Sequence, residues 1–332
     1  MMNRQKENIS MEERRYKIVI DTLGSDKGPE AVIEGAKLVL EENPNIDVIL
    51  AGDEELIKSK GLPEDRVTVI HAPTTVTNYD NPVEAFYKKK SEVSVFKALE
   101  ETANNDDVIG MISSGSTGAL LVGTLRYLLD DKRTRPALAA ILPNTTGNFT
   151  CLVDTGASID CGPTQLMEFA HLGSDFMRRL YKIESPRVGL LSNGAEPTKG
   201  NKLVKETFKL LQEDKSINFI GNVEGDKTLN GLCDVLVCDG FAGNQVLKNT
   251  AGAAVNLITE IMKFGKMTGN DMICKQIAGH IMKTWDFESL GAGIMLGARK
   301  LILKCRGSSG ASAIKNAAKI LINVHDNKTV YE

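Results

Sequence analysis

The stretch Val235-Leu-Val-Cys-Asp-Gly-Phe-Ala-Gly-Asn244 decides the fold: four apolar residues run directly into a polar, glycine-punctuated loop. From Ala242 to Phe264 apolar residues then recur at helical spacing, so the segment reads as strand, loop and helix. Glycine lets a backbone approach a ligand closely, while Asp and Asn set donors and acceptors beside freed N–H groups, so such a loop can hold an anion. Asn218-Phe-Ile-Gly-Asn-Val-Glu-Gly-Asp226 reads the same way, with a strand expected to end at Ile220 and a loop to follow. Ser113-Ser-Gly-Ser-Thr-Gly-Ala119 and Ser192-Asn-Gly-Ala-Glu-Pro-Thr-Lys-Gly-Asn201 are two more loops of this kind. Together they point to a small anionic substrate.

Outward from these loops, apolar runs of strand length alternate with longer helical segments, the pattern of an α/β protein with a large, mostly parallel sheet covered by helices. Strands are expected at 17–21, 47–51, 67–71, 108–112, 137–142, 149–154, 187–191, 217–220 and 234–238. Helices are expected near 29–43, 93–104, 117–129, 163–181, 200–213, 242–264, 271–284 and 309–323. No Pro-, Gly- or Ser-rich linker and no fixed repeat interrupts the pattern, so residues 16–332 read as one domain. In open α/β sheets ligands bind outside the carboxyl ends of strands, where these loops fall.

The 332 residues are 42% hydrophobic, enough for a sizeable core, and 40 basic against 43 acidic side chains give no concentrated positive charge for a nucleic-acid partner. Lys88-Lys89-Lys90 is the densest basic patch and reads as a solvated helix end. Residues 1–15 are charged and lack the apolar centre of a signal peptide, so a disordered extension is expected, with Met11 as an alternative start. No run approaches the roughly 18 apolar residues of a membrane span. The six cysteines, at 151, 161, 233, 238, 274 and 305, form no Cys-x-x-Cys pair and no zinc-ligand cluster with histidine, and read as core packing in a reducing cytoplasm. His71, His171, His280 and His325 fall into no hydrolase arrangement, and no Gly-x-Ser-x-Gly elbow occurs.

Each candidate site residue carries two readings. Asp21, Gly24 and Asp26, in Asp21-Thr-Leu-Gly-Ser-Asp26, either line a substrate loop or brace a turn. Ser114, Gly115, Ser116, Thr117 and Gly118 offer hydroxyls and helix-terminal N–H groups to a phosphate, or simply cap a helix. The lysine and spacing of a Walker loop are missing there, and the near-dinucleotide pattern Gly291-x-Gly293-x-x-x-Gly297 follows no clear strand. Lys199, before Gly200 and Asn201, sits where a cation opposes the helix dipole, which favours a functional purpose over surface decoration. Asn244, held after Asp239 and Gly243, can stabilise an oxyanion or serve as a turn residue.

Taken in order, Thr117-Gly-Ala119, Arg135-Pro-Ala137, Ser185-Pro-Arg-Val-Gly-Leu-Leu191, Lys199-Gly-Asn201, Phe219-Ile-Gly-Asn-Val-Glu224 and Asp239-Gly-Phe-Ala-Gly-Asn244 resemble the PlsX-type phosphate acyltransferases, over about residues 16–325. The resemblance implies a three-layer α/β/α fold similar to isocitrate and isopropylmalate dehydrogenases, a homodimer, and neither metal nor organic cofactor. It implies transfer of a long-chain acyl group from acyl-acyl carrier protein to inorganic phosphate, giving acyl phosphate for phospholipid synthesis, with Lys199 and Asn244 matching the positions implicated in catalysis. The partners implied are acyl carrier protein, phosphate and a downstream membrane glycerol-3-phosphate acyltransferase, and the location is the cytoplasm, with peripheral membrane contact.

The sequence departs from the family pattern at Thr22, Leu23 and Ser25, at Ser114 and Ser116, at Ser158 in Asp154-Thr-Gly-Ala-Ser158, at Gly162, and at Arg306 in Arg306-Gly-Ser-Ser309. These changes touch the expected substrate loops, so a phosphotransacetylase-like enzyme using acyl-CoA and a diverged phosphate-binding paralogue stay open beside the main reading. Asp154, Asn193 and Asp239 are expected to brace the loops. The segment from Ala251 to Trp285 carries Leu257, Ile258, Ile261, Met262 and Phe264 at helical spacing with Lys263, Lys266, Lys275 and Lys283 alongside, and suits a dimer interface, a carrier contact or a membrane surface.

Overall fold

A computed structural model describes residues 15–77, 79–129, 135–284 and 292–326. Its strands are β1 (Tyr16–Asp21), β2 (Ile46–Gly52), β3 (Val67–His71), β4 (Val108–Ser113), β5 (Ala137–Pro143), β6 (Phe149–Val153), β7 (Arg187–Ser192), β8 (Asn218–Glu224), β9 (Val235–Val237), β10 (Gly293–Leu296) and β11 (Leu301–Lys304). The helices are α1 (Gly28–Glu42), α2 (Glu54–Ser59), α3 (Pro82–Lys89), α4 (Ser94–Asn104), α5 (Thr117–Tyr127), α6 (Pro163–Tyr181), α7 (Lys202–Glu213), α8 (Gly240–Thr268), α9 (Asp271–Thr284) and α10 (Ala311–Asp326).

All eleven strands form one sheet in the order β3-β2-β1-β4-β11-β10-β5-β6-β9-β7-β8. β3, β2, β1, β4 and β11 run parallel, and β6, β9, β7 and β8 form a second parallel block, with β10 and β5 pairing antiparallel between them. The two blocks therefore point in opposite directions along the sheet. Register brings their carboxyl ends together: β4 and β11 stop at Ser113 and Lys304, level with Gly293, while β6 and β9 stop at Val153 and Val237, level with Ala139 and Ile294. The loops that leave these ends thus meet over the central strands.

Alternation along each strand splits the core into layers. Ile18, Ile20, Ala139, Val153, Leu190 and Leu303 face α1, α10, α6 and α7 on one side, in a cluster that spans the whole sheet. On the other side the cover is divided. Val19, Met111, Leu138 and Ile302 pack under α4 and α5, whereas Ala140, Leu142, Leu152 and Leu236 pack with Ala242, Val246 and Leu247 of α8. The boundary between these two clusters runs along β5, and the sheet is left partly uncovered there.

The three layers and predominantly parallel sheet match the sequence expectation, with three corrections. β10 and β11, which supply the middle of the sheet, were not expected; Gly293, read as following no strand, begins one. β8 does not end at Ile220 but continues to Glu224 through an irregularity at Gly221, whose φ is +101°, so Gly221–Glu224 is an edge strand rather than an anion loop. Helix α7 starts at Lys202, after the cap Asn201, so Lys199 and Gly200 lie in the preceding loop and Lys199 does not oppose the dipole from within the first turn. Of the cysteines, Cys151, Cys233, Cys238, Cys274 and Cys305 are buried and Cys161 is half-buried.

Candidate active site

The first half of the site is built where β1 and β4 end side by side, with Asp21 level with Ser113. The buried Asp21 carboxylate accepts hydrogen bonds from Ser94 Oγ (2.6 Å), Ser113 Oγ (2.6 Å) and the Leu23 N–H (3.3 Å). Burial pushes Asp21 from 3.8 up to about 6, against the opposing pull of those donors and of Lys304. Gly24 (φ +82°) lies so close to the neighbouring loop that a Cβ there would sit 2.6 Å from the Gly115 Cα. The 21–26 and 113–118 loops are therefore one packed body. Ser116 precedes α5 as its cap residue without a side-chain cap bond, Thr117 and Gly118 open the helix, and the Ser114 Oγ is buried without a partner among the described residues. The Asp26 N–H donates to the Gly307 carbonyl (2.9 Å), which ties this body to the segment after β11.

The second half grows from β6 and β9. Asp154, fully buried, accepts four backbone N–H bonds, from Leu138 (2.9 Å), Gly156 (3.2 Å), Ala157 (3.1 Å) and Ser158 (2.6 Å). Desolvation raises its carboxyl above the usual range, with the four amides opposing. The first turn of α8 presses onto this loop. A Cβ on Gly243 would come 1.9 Å from the Asp154 carbonyl oxygen and one on Gly240 2.7 Å from the Ser158 carbonyl oxygen, so only glycine fits at either position. Asp239 caps α8 by accepting from the Ala242 N–H (2.7 Å). Asn244, one turn in, donates from Nδ2 to the Thr155 carbonyl (2.9 Å) and so is oriented by the same loop.

The third loop leaves β7. Asn193 Oδ1 accepts from the Gly200 N–H (2.9 Å), Gly200 holds φ +97°, and Asn201 caps α7 by accepting from Val204 N–H (2.9 Å). From β8, Asn222 Nδ2 donates to the Glu196 carbonyl (2.9 Å) and props the loop from below. Lys199 projects exposed, and its side chain makes no hydrogen bond or ion pair among the described residues.

A cavity of about 950 Å³ occupies the gap in the sheet's cover. Leu138, Ala140 and Leu142 of β5 form its floor, and Leu247, Ala251 and Val255 of α8 form an apolar wall. Thr155, Gly156 and Asn244 close one rim. The other rim is polar: Asp26, Thr117, Lys304, Arg306 and Ser308. Of the expected residues, the cavity thus brings together Asp26, Thr117 and Asn244. Asp21, Gly24, Ser114, Gly115, Ser116, Gly118, Asp154, Ser158, Asp239 and Gly243 sit behind the lining as its support, while Lys199, Asn193, Gly200 and Asn201 are not among the lining residues of the chain. Sequence reasoning missed Lys304. Its signal was a lysine ending the apolar triplet Leu301-Ile-Leu303 shortly before a glycine and two serines.

Among the described residues no group of three or more His, Cys, Asp or Glu side chains is placed to hold a metal ion, and no described helix is long and apolar enough to cross a membrane. The histidines stand away from the cavity: His71 Nδ1 accepts from the Glu54 N–H, His171 Nε2 lies 2.8 Å from Asp214, and His325 packs edge-on against Tyr16.

Comparison with known proteins bears on the fold and on the family. The phosphotransacetylase from Streptococcus pyogenes superposes with a TM-score of 0.58 at 16% identity, covering 95% of both chains, and EutD phosphotransacetylase from Staphylococcus aureus with 0.57 at 16%, covering 94% of both. These likenesses establish the fold. In sequence, the chain is 39% identical over 319 residues to the phosphate acyltransferase of Halothermothrix orenii, covering 92% of this chain and 93% of the relative. It is 38% identical over 320 residues to that of Clostridium novyi, covering 94% and 95%. A family described as fatty acid synthesis protein matches residues 16–330. The chain therefore belongs to the fatty acid synthesis protein family, the family of the phosphate acyltransferases, and is an acyltransferase.

Proposed function

We propose that the chain transfers a long-chain acyl group from acyl-acyl carrier protein to inorganic phosphate, producing acyl phosphate for phosphatidic acid and phospholipid synthesis. One observation carries the reading: a single cavity joins a cationic, hydroxyl-bearing rim to an apolar wall, so an anion and a hydrocarbon chain can lie end to end. Its volume is at the upper end of the roughly 300–1,000 Å³ typical of small-molecule sites.

The chemistry follows from the reactants. A phosphate oxygen forms a bond to the thioester carbonyl carbon, the tetrahedral intermediate breaks its C–S bond, and the departing thiolate takes a proton from solvent. Phosphate is substantially dianionic at neutral pH and a thiol of pKa near 8.5 leaves readily, so positioning and charge stabilisation carry the rate. Asn244, with one amide N–H committed to the Thr155 carbonyl, has the other to turn toward phosphate or the tetrahedral oxygen. Lys199 supplies positive charge from the 192–201 loop, and residues 114–118 cradle the phosphate. Asp154, Asn193 and Asp239 brace these loops, with Asp21, Gly24, Asp26, Ser158, Gly200, Asn201 and Gly243 shaping them. The chain acts as a homodimer in the cytoplasm, touching the membrane peripherally, and hands its product to a membrane glycerol-3-phosphate acyltransferase.

The test is incubation with phosphate and acyl-acyl carrier protein, trapping acyl phosphate with hydroxylamine, beside acyl-CoA of equal chain length. Higher turnover with the carrier-protein donor is expected. Preference for the CoA donor would favour a phosphotransacetylase-like enzyme, and phosphate-dependent thermal stabilisation without product from either donor would favour a binding paralogue. Lys199→Ala should lower turnover by about 100-fold or more with the fold intact; near-normal turnover would remove Lys199 from the mechanism.

A further inference from the structure

Lys304 ends β11, the strand inserted at the centre of the sheet, and is one of the residues lining the cavity rim. Nζ donates to the carbonyl oxygens of Ser114 (3.4 Å) and Cys305, and the third N–H has no partner among the described residues. Among the described residues no carboxylate forms an ion pair with it. Asp21 and Asp26 act on it without direct contact, and Asp21 is already committed to Ser94, Ser113 and the Leu23 N–H. A desolvated lysine with no carboxylate in direct contact is costly, and burial does lower its pKa. The cost is recovered where a ligand brings the missing negative charge.

The surroundings fit that ligand. Arg306, two residues on, lines the same rim with Ser308, and Thr117 opens α5 there with its unpaired N–H groups. Ser114, whose carbonyl holds Lys304, keeps its own hydroxyl buried and unpartnered. We propose that Lys304, assisted by Arg306, is the cation that grips the phosphate substrate, between the end of β11 and the first turn of α5. This deepens the acyl-transfer reading and rests on it for the identity of the anion. It assigns the phosphate end of the cavity to β11 and α5 and leaves the β5 and α8 end to the acyl chain.

The experiment compares wild type with Lys304→Met, which keeps the length and removes the charge, and with Arg306→Gln. Thermal unfolding is followed against inorganic phosphate, with chloride at matched ionic strength as control, and hydroxylamine-trapped kinetics are run with phosphate and acyl donor varied separately. Wild type should be stabilised by phosphate, and Lys304→Met should lose that shift. Its KM for phosphate should rise about ten- to a hundredfold, the loss of one or two charge-assisted hydrogen bonds, while KM for the acyl donor stays within a factor of about two, and Arg306→Gln should show a smaller rise. A folded Lys304→Met protein with wild-type phosphate stabilisation and wild-type phosphate KM overturns the assignment. If wild type makes no acyl phosphate yet shows a phosphate shift that Lys304→Met abolishes, the anion site stands and the acyl-transfer reading fails.

Discussion

Asp21 shows how a residue with two sequence readings resolves. It is both brace and site component: its carboxylate ties Ser94, Ser113 and Leu23 into the loop body that carries Thr117 to the cavity, and it never reaches the lining itself. The same burial makes it a pH sensor of stability. Its folded-state value of about 6 lies above the ordinary 3.8, so the neutral form is favoured by folding. The contribution is complete below pH 3.8 and is lost as pH rises through 6. Over that window this group alone should lower stability by about 3 kcal/mol. Asp21→Asn fixes the neutral form, and urea unfolding from pH 4 to pH 7 should show the wild-type slope less this component. Identical slopes in the two proteins would mean that Asp21 does not titrate there. Lys199 and Asn244 were equally legible as candidates, but the sequence could not tell a cavity-lining Asn244 from an exposed Lys199, because that depends on which loops of opposing strand blocks meet.

Among elements, the first turn of α8 is the most tightly constrained. Gly243 has no room for a methyl group, since the Asp154 carbonyl oxygen would be 1.9 Å away and the Cys238 sulfur 2.8 Å away, and a backbone oxygen cannot swing aside. Gly252 lies farther along the same helix, and a Cβ there would meet nothing within 4 Å. The pair makes an internal control. Gly243→Ala should cost about 1–3 kcal/mol or more by forcing α8 off the 154–158 loop, and should lower turnover by breaking the Asn244 to Thr155 hydrogen bond. Gly252→Ala should be neutral or stabilising by up to about 1 kcal/mol through helix propensity. Equal unfolding midpoints for the two variants would contradict the close approach. The strand-to-glycine transition at Cys238–Asn244 was readable because an apolar run, a capping Asp and two glycines coincide. β10 and β11 escaped because each has only four residues, flanked by glycine or by Lys and Arg, and their place is set by long-range pairing with β5 and β4. Helices α2 and α3 were short enough to miss, although Asp53 and Asn81 cap them and Pro82 opens α3.

For the whole molecule, the sheet and its helices leave one conspicuous unpartnered part. α8 has 29 residues, yet only Gly240, Gly243, Ala251 and Gly265 are buried. It turns at Gly269 (φ +71°) and packs against α9, where Gly265 lies close against Cys274. The resulting hairpin exposes Leu257 (64%), Phe264 (60%), Met267 (84%), Met272 (76%) and Ile273 (59%). So many large apolar side chains on one projection call for a partner surface. Of the basic residues beside them, Lys263 pairs with Glu260 (2.6 Å) and Lys275 with Asp271 (2.5 Å) within the hairpin, which compensates part of the positive charge that an anionic bilayer would attract. A second copy of the chain burying the same face is the expected solution. Sedimentation should therefore give twice the chain mass of 36.1 kDa at micromolar concentration. Phe264→Glu combined with Ile273→Glu should shift the protein to the monomer, since burying two unpaired carboxylates at a symmetric interface places four in the dimer. A wild-type protein that sediments as a monomer but floats with lipid vesicles would give the face to the membrane instead.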